Sequence, residues 1–205
     1  MSVTVRLISN RTFKSKIVLM LQIVAYVELG LCWIVWMLAF VKPSKQAAGQ
    51  KEATSAPASR WGIFLVMIGF MLTWMYVRPV GFQKSAAALI ASMILGPLSV
   101  ALGWAAARRL AKQWRFKAAV SEDHELIQTG PYRWLRHPIY TSMLGMLLTT
   151  QAAWTWWPMA IASVIAFVAG TEIRVRAEER LLAAHFRDSY AAYRARTSAF
   201  IPFLR

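Results

Sequence analysis

The sequence predicts an all-α integral membrane protein of about five transmembrane helices, closing in a C-terminal helical hairpin followed by a cytoplasmic helix. Three observations carry that prediction. Hydrophobic residues fill 58% of the 205 positions, with ten Trp and ten Met, against only nine acidic side chains and 24 Lys and Arg. A soluble domain of this size cannot hide so much apolar surface. The apolar residues also come in long runs, at Ile17 to Val41, Trp61 to Val77 and Ala86 to Ala107, close to the ~20 helical residues that cross a hydrocarbon core. Finally, no Asp, Glu, Lys or Arg occurs anywhere from His137 to Thr171.

Taken in order, the first run follows Arg6, Arg11, Lys14 and Lys16. It is far longer than the roughly 7 to 15 residues of a signal-peptide core, so it reads as a retained span. The linker from Lys42 to Arg60, rich in Lys, Ala, Ser, Gln and Pro, is predicted to be a mobile loop. The second and third runs are two further spans. The uncharged stretch after His137 then carries Gln151, Trp154, Trp156, Trp157 and Pro158 near its middle, which marks a hairpin turning at an interface. Its first arm, Ile139 to Ala153, reaches only about 22 Å at the helical rise, short of a full crossing. Its second arm starts at Pro158 and is predicted to run past Gly170 as a charged helix towards Arg194. The chain divides into an N-terminal three-helix region, 1–107, and a C-terminal region, 108–205, that contains the hairpin. There is no internal repeat.

The formal charge of +15 does not imply a nucleic-acid partner, because the basic residues are interleaved with apolar runs instead of gathered on one polar domain. It does set an orientation. Placing the 42–60, 108–136 and 174–205 segments on one side collects eighteen of the 24 basic residues there and leaves six opposite. By the positive-inside rule that richer side is the cytoplasm. The four N-terminal basic residues then fall outside, which is predicted to reflect an N-terminal helix lying along the interface or a displaced first span. The single cysteine, Cys32, sits in an apolar run and reads as a small buried hydrophobe.

Two polar clusters have no topological reason to be where they are. The first, Ser121 to Tyr140, holds His124, Glu125 and His137, a Gly130-Pro131 turn, and Pro138 at the start of the next helix. Pro suits a first helical turn, where a missing N–H costs nothing. His137 is thereby held at a helix entrance beside free backbone donors that favour an anionic group. The turn can swing Tyr132 back to the same place. Read blandly, the segment is a basic loop anchored by interfacial aromatics. In the second cluster, Arg174 and Glu178 share a helix face. They can hold a substrate carboxylate in a bidentate clamp while the Glu meets a cationic or amine group, or they can be one more solvated i,i+4 pair. Glu28 lies inside a span, where a carboxyl is either structural or marks a polar cavity. His185 reads as a surface residue. His124 and His137 without a third ligand do not make a metal site, and none is expected.

At the same two clusters the sequence resembles the isoprenylcysteine carboxyl methyltransferase family and the related membrane phospholipid methyltransferases. The matching text is His124-Glu-Leu-Ile, Gly130-Pro-Tyr, Arg136-His-Pro-Ile-Tyr140, then Arg174-x-x-x-Glu178-Glu179 followed by Phe186, Tyr190, Tyr193 and Ile201-Pro202. The resemblance implies that His124, Glu125, Leu126, Ile127, Tyr132, His137, Pro138, Ile139 and Tyr140 bind S-adenosyl-L-methionine from the cytoplasmic side. Glu178 is implied to touch the cofactor as well, and Arg174 to bind and orient the substrate, with Arg174 and Glu178 as the catalytic pair. Lys117 stands where that family, as the pattern is read here, carries a polar amide.

The activity implied is methylation of a carboxylate on a lipophilic or prenylated substrate drawn from among the membrane lipids. A phospholipid amine, an isoprenoid acid or a small thiol are alternative acceptors. Readings of another class are an NADPH-dependent membrane reductase and a non-enzymatic scaffold or transporter subunit. The oligomeric state is left open.

Overall fold

A computed structural model describes residues 3–41, 54–55, 59–75, 82–110, 119–120 and 126–200. Most of the predicted 42–60 loop, together with Lys117, His124, Glu125 and the Ile201-Pro202 pair, lies outside the described residues. Five helices dominate: α1 (Val3–Leu38), α2 (Ser59–Trp74), α3 (Ala86–Leu110), α4 (Pro138–Ala153) and α5 (Trp157–Arg196). The only other regular pieces among the described residues are two-residue strands, β1 (Thr54–Ser55) and β2 (Ala119–Val120), and a 3-10 turn at Gly130–Arg133.

The outside of the bundle is apolar, and its inside holds many small polar side chains among the apolar ones. Leu19, Met20, Val27 and Leu31 on α1, Phe64, Met67 and Met71 on α2, and Ile161 and Ile165 on α5 are all exposed. Ser92, Ser99, Ser142, Thr149, Thr150, Gln151 and Ser163 are buried. Such an arrangement is stable only where the surroundings are themselves hydrocarbon. Three helical stretches are long and apolar enough to cross it: Lys16–Leu38, Ala86–Leu110 and α5. The chain is an integral membrane protein. Helices α2 and α4, of 16 residues each, are about 24 Å long and rely on their neighbours and flanks to match the bilayer.

With no hydrophobic force to press helices together inside lipid, close backbone approach and buried hydrogen bonds do the packing. Helix α2 lies along α5 and α3 along α4. Gly62 of α2 and Gly170 of α5 meet so closely that a Cβ on Gly62 would stand 2.7 Å from the Gly170 carbonyl oxygen. At the far end of the same interface, Thr73 and Ser163 hydroxyls are 2.5 Å apart, and Gln151 donates to Ser163 at 2.9 Å. Thr155, in the α4–α5 turn, donates to the Thr73 carbonyl at 2.7 Å, which ties the hairpin to α2.

Between α1 and α4 the buried Trp36 indole N–H donates to the Ser142 hydroxyl at 2.7 Å. Trp36→Phe is expected to cost about 1 kcal/mol, the usual net worth of one such bond. Reversible unfolding of the two proteins in mixed detergent micelles measures it.

The four N-terminal basic residues, for which the sequence suggests an interfacial helix or a displaced first span, lie in the helix of the first span itself. Helix α1 is continuous from Val3 to Leu38, so the basic residues form the opening turns of the same helix that carries the span. Antiparallel pairing of Thr54 with Val120 and Ser55 with Ala119 sets the loop after α1 beside the stretch after α3. Those segments, the entrance of α4 and the charged half of α5 therefore share one end of the bundle.

Candidate active site

Three pieces of chain meet at that end. The first is the turn Gly130–Arg133. Gly130 adopts φ +63°, and a Cβ there would lie 3.0 Å from the Arg109 Nε at the end of α3; a left-handed backbone under a packed side chain leaves only glycine. The turn brings in Tyr132, which is buried and whose carbonyl accepts a 2.7 Å bond from the Tyr193 hydroxyl. Burial, reinforced by the nearby Tyr193 and Glu178, pushes the Tyr132 phenol well above its ordinary pKa.

The second piece is the entrance of α4. Pro138 occupies its first turn and His137 its N-cap, with φ −127° and ψ 58° and no side-chain cap. The amides of that turn have no partners within the helix. Both His137 and Pro138 are buried, Ile139 is half-buried, and Leu126 and Ile127 are half-buried in the stretch before the turn.

The third piece is α5 beyond its apolar half. Two Arg–Glu pairs with i,i+4 spacing occur here, and burial separates them. Arg176 meets Glu172 at 2.8 Å with side chains 67% and 43% exposed, a surface pair worth a few tenths of a kcal/mol. Arg174 meets Glu178 at 3.2 Å with side chains only 9% and 22% exposed. Its Nε also donates to the Tyr140 hydroxyl at 2.5 Å, and that hydroxyl donates to Glu178 Oε1 at 2.5 Å. The guanidinium further lies 5.7 Å from the centre of the Tyr140 ring. Arg174, Tyr140 and Glu178 thus form a closed triangle, and the His137 ring stands beside it, 3.7 Å from Glu178 Oε2.

The sequence model of the isoprenylcysteine carboxyl methyltransferase family matches residues 89–184. The similarity to that family covers a little under half of the chain. The protein-S-isoprenylcysteine O-methyltransferase of Saccharomyces cerevisiae is 28% identical over 88 residues, which are 43% of this chain and 37% of the yeast protein. The chain thus matches little more than a third of that relative's length.

Within this matched segment and just beyond it, the structure adds residues that sequence reasoning did not assign. Arg136 is buried. Its Nε donates to Glu179 Oε1 at 2.9 Å and its Nη1 donates to the carbonyls of both Arg194 and Thr197. Its own amide bonds the Ser198 carbonyl at 2.8 Å, and the His137 amide bonds that of Ala199 at 3.1 Å. Residues 198–199 thus run alongside 135–137 like a short strand. Thr141 donates to the Phe200 carbonyl at 2.7 Å, and the Phe200 ring sits 5.9 Å from His137. Glu179 was visible as part of the motif. No local pattern could have shown that a segment some 60 residues downstream folds back on the Arg136-His-Pro turn.

Burial alone would raise the Glu179 carboxyl. Hydrogen bonds from His137 and Arg136, with the charge of Arg136, more than offset it and hold the pKa at about 2, below the ordinary 4.5. A depressed carboxylate stabilises the fold fully above its ordinary pKa, and that contribution disappears as pH falls through the folded value. Melting temperature is therefore expected to drop between pH 4.5 and 2, and Glu179→Gln is expected to flatten that drop while lowering stability at pH 7. Thermal scans across that range in a neutral detergent test it.

Proposed function

We propose that this protein is an S-adenosylmethionine-dependent methyltransferase that methylates a carboxylate of a lipophilic or prenylated substrate at the cytoplasmic face of the membrane. The observation that carries the reading is the buried Arg174–Tyr140–Glu178 triangle beside the α4 entrance, inside a segment of the carboxyl methyltransferase family. The orientation rests on charge, since the basic-rich segments gather at this end.

The donor set suits the cofactor's amino-acid end. Glu178 offers an acceptor for an ammonium, and the unpaired amides at the start of α4 offer donors for a carboxylate. Tyr132, His137 to Tyr140, and the half-buried Leu126 and Ile127 would hold the remainder. When bound, the cofactor supplies a methyl group on a sulfonium, which is already an excellent leaving group.

The protein therefore needs no strong acid and no covalent nucleophile. Arg174 would take the substrate carboxylate on its guanidinium, with Tyr140 fixing the plane of that group and Glu178 its charge balance. Exclusion of water at so buried a cation strips the carboxylate of solvent and fixes its direction. Orientation of this kind removes several kcal/mol from a bimolecular barrier. An acceptor with a long apolar tail stays in the hydrocarbon while its polar end reaches the triangle.

A thermal-shift titration with S-adenosylhomocysteine, followed by labelled methyl transfer to a farnesylated cysteine, an amine phospholipid and a short thiol, tests both halves. Binding followed by labelling of the carboxylate acceptor is the expected result. Labelling of the amine or thiol alone would reassign the substrate, and absence of binding to folded protein would remove the methyltransferase reading.

A further inference from the structure

A second concave feature lies on the other side of Arg136. A cavity of about 620 Å³ opens between the last turns of α5 and residues 197–198, with Arg136, Arg187, Arg194, Arg196, Thr197 and Ser198 in its wall. Its volume falls within the range of small-molecule sites. Among the described residues its lining includes four guanidinium groups and no carboxylate. Beside that wall Glu179 binds Arg136 and stands 3.8 Å from Arg194.

Two further observations point to a ligand. Thr197 is 6% exposed, and its hydroxyl has no hydrogen-bond partner among the described residues. A buried hydroxyl left in that state is costly unless something else meets it. In the same wall, Arg187 breaks α5 with φ 46° and ψ −116°, the one non-glycine residue with positive φ among those described. Such strain persists where the surroundings over-determine it, and it gathers at ligand sites. None of the residues assigned above to the cofactor lines this cavity.

We propose that the cavity is a separate binding site for a phosphate-bearing molecule, its phosphate seated among Arg187, Arg194 and Arg196 and accepting from the Thr197 hydroxyl. The planar forks of arginine match phosphate oxygens two at a time, which lysine or a diffuse positive field does not do. A lipid headgroup and a free phosphate compound present the same chemistry to it.

The test uses the full chain. In neutral detergent, melting temperature is measured with sodium phosphate against sodium chloride at matched ionic strength. In bilayer discs it is measured with phosphatidylcholine alone and with added phosphatidic acid. A rise of several degrees in either arm is expected, and the arm that responds identifies the source as a soluble phosphate or a lipid.

Two variants make the effect specific. Arg187→Gly removes one guanidinium and relieves the positive φ, so its ligand-free melting temperature is expected to equal or exceed the wild type while the phosphate response is lost. Arg196→Gln is expected to weaken phosphate binding about tenfold and to leave S-adenosylhomocysteine binding unchanged. Absence of any phosphate response in the wild type would overturn the proposal, as would a wild-type response in both variants. Loss of the response on adding S-adenosylhomocysteine would assign the cavity to the cofactor and also overturn it.

Discussion

Arg174→Gln is expected to reduce methyl transfer by two orders of magnitude or more while the affinity for S-adenosylhomocysteine changes by less than about fivefold. Losses of roughly 100- to 1,000-fold follow removal of one oriented donor from a developing charge, and Arg174 is the only cation in the triangle. Glutamine keeps much of the length and can still bond one neighbour, but not Tyr140 and Glu178 together as the guanidinium does at 2.5 and 3.2 Å. Removing one member of a fully buried ion pair costs about 3 to 5 kcal/mol. Glu178 keeps partial contact with solvent, so a cost at or below the lower end is expected here. Arg174→Lys keeps the charge and loses the fork, and is expected to recover stability more than turnover. Turnover, inhibitor affinity and melting temperature measured together distinguish these effects. A glutamine variant within a few fold of wild-type turnover would exclude Arg174 from orienting the acceptor.

The second large effect is expected at a residue with no side chain. A Cβ on Gly62 would lie 2.6 Å from Arg174 Cγ and 2.7 Å from the Gly170 carbonyl oxygen, and the carbonyl cannot move without the helix. Gly62→Val therefore has to part α2 from α5 and displace the Arg174 stem together. Overpacking of this kind costs about 1 to 3 kcal/mol and sometimes more. Activity is expected to fall further than stability explains, because the displaced stem carries the guanidinium. Gly30→Ala is the control: nothing lies within 4 Å of a Cβ at that position in α1, and a helical Gly-to-Ala change there is expected to be neutral or slightly stabilising. Equal melting temperatures for the two variants would show that the α2–α5 contact is looser than it stands here.

The helices were legible because hydropathy reports directly on the lipid environment. The first hairpin arm, expected from Ile139 to Ala153, is α4 at Pro138–Ala153, and the second runs on to Arg196 as a charged helix. The apolar run from Ile17 coincides with the span Lys16–Leu38, whereas α1 itself begins at Val3, since an apolar run marks where a helix enters hydrocarbon and not where its hydrogen bonding begins.

At the site, spacing alone placed Arg174 and Glu178 on one face, but it could not tell that pair from Arg176 and Glu172, which have the same separation. Burial by α2 and α4 makes the difference, and burial is a tertiary property. Contact between Gly62 and Arg174 joins positions 112 apart and leaves only an indirect trace, the small-residue stripe Gly62, Val66, Gly69 and Thr73 on α2. That stripe was readable in principle as a helix-packing face. The non-helical Arg187 and the return of residues 198–200 left no periodic signal at all.

That return also fixes a timetable. The Arg136 guanidinium is capped by a carbonyl 61 residues further along the chain, so the ribosome has already made both arms of the hairpin before the capping residues exist. Until they emerge, Arg136 and the amides of 136 and 137 have no partners from that segment. At a few residues per second to about twenty, this interval lasts several seconds. During biosynthesis the entrance of α4 must therefore wait open, and the pocket becomes whole only after residues 197–199 have been made.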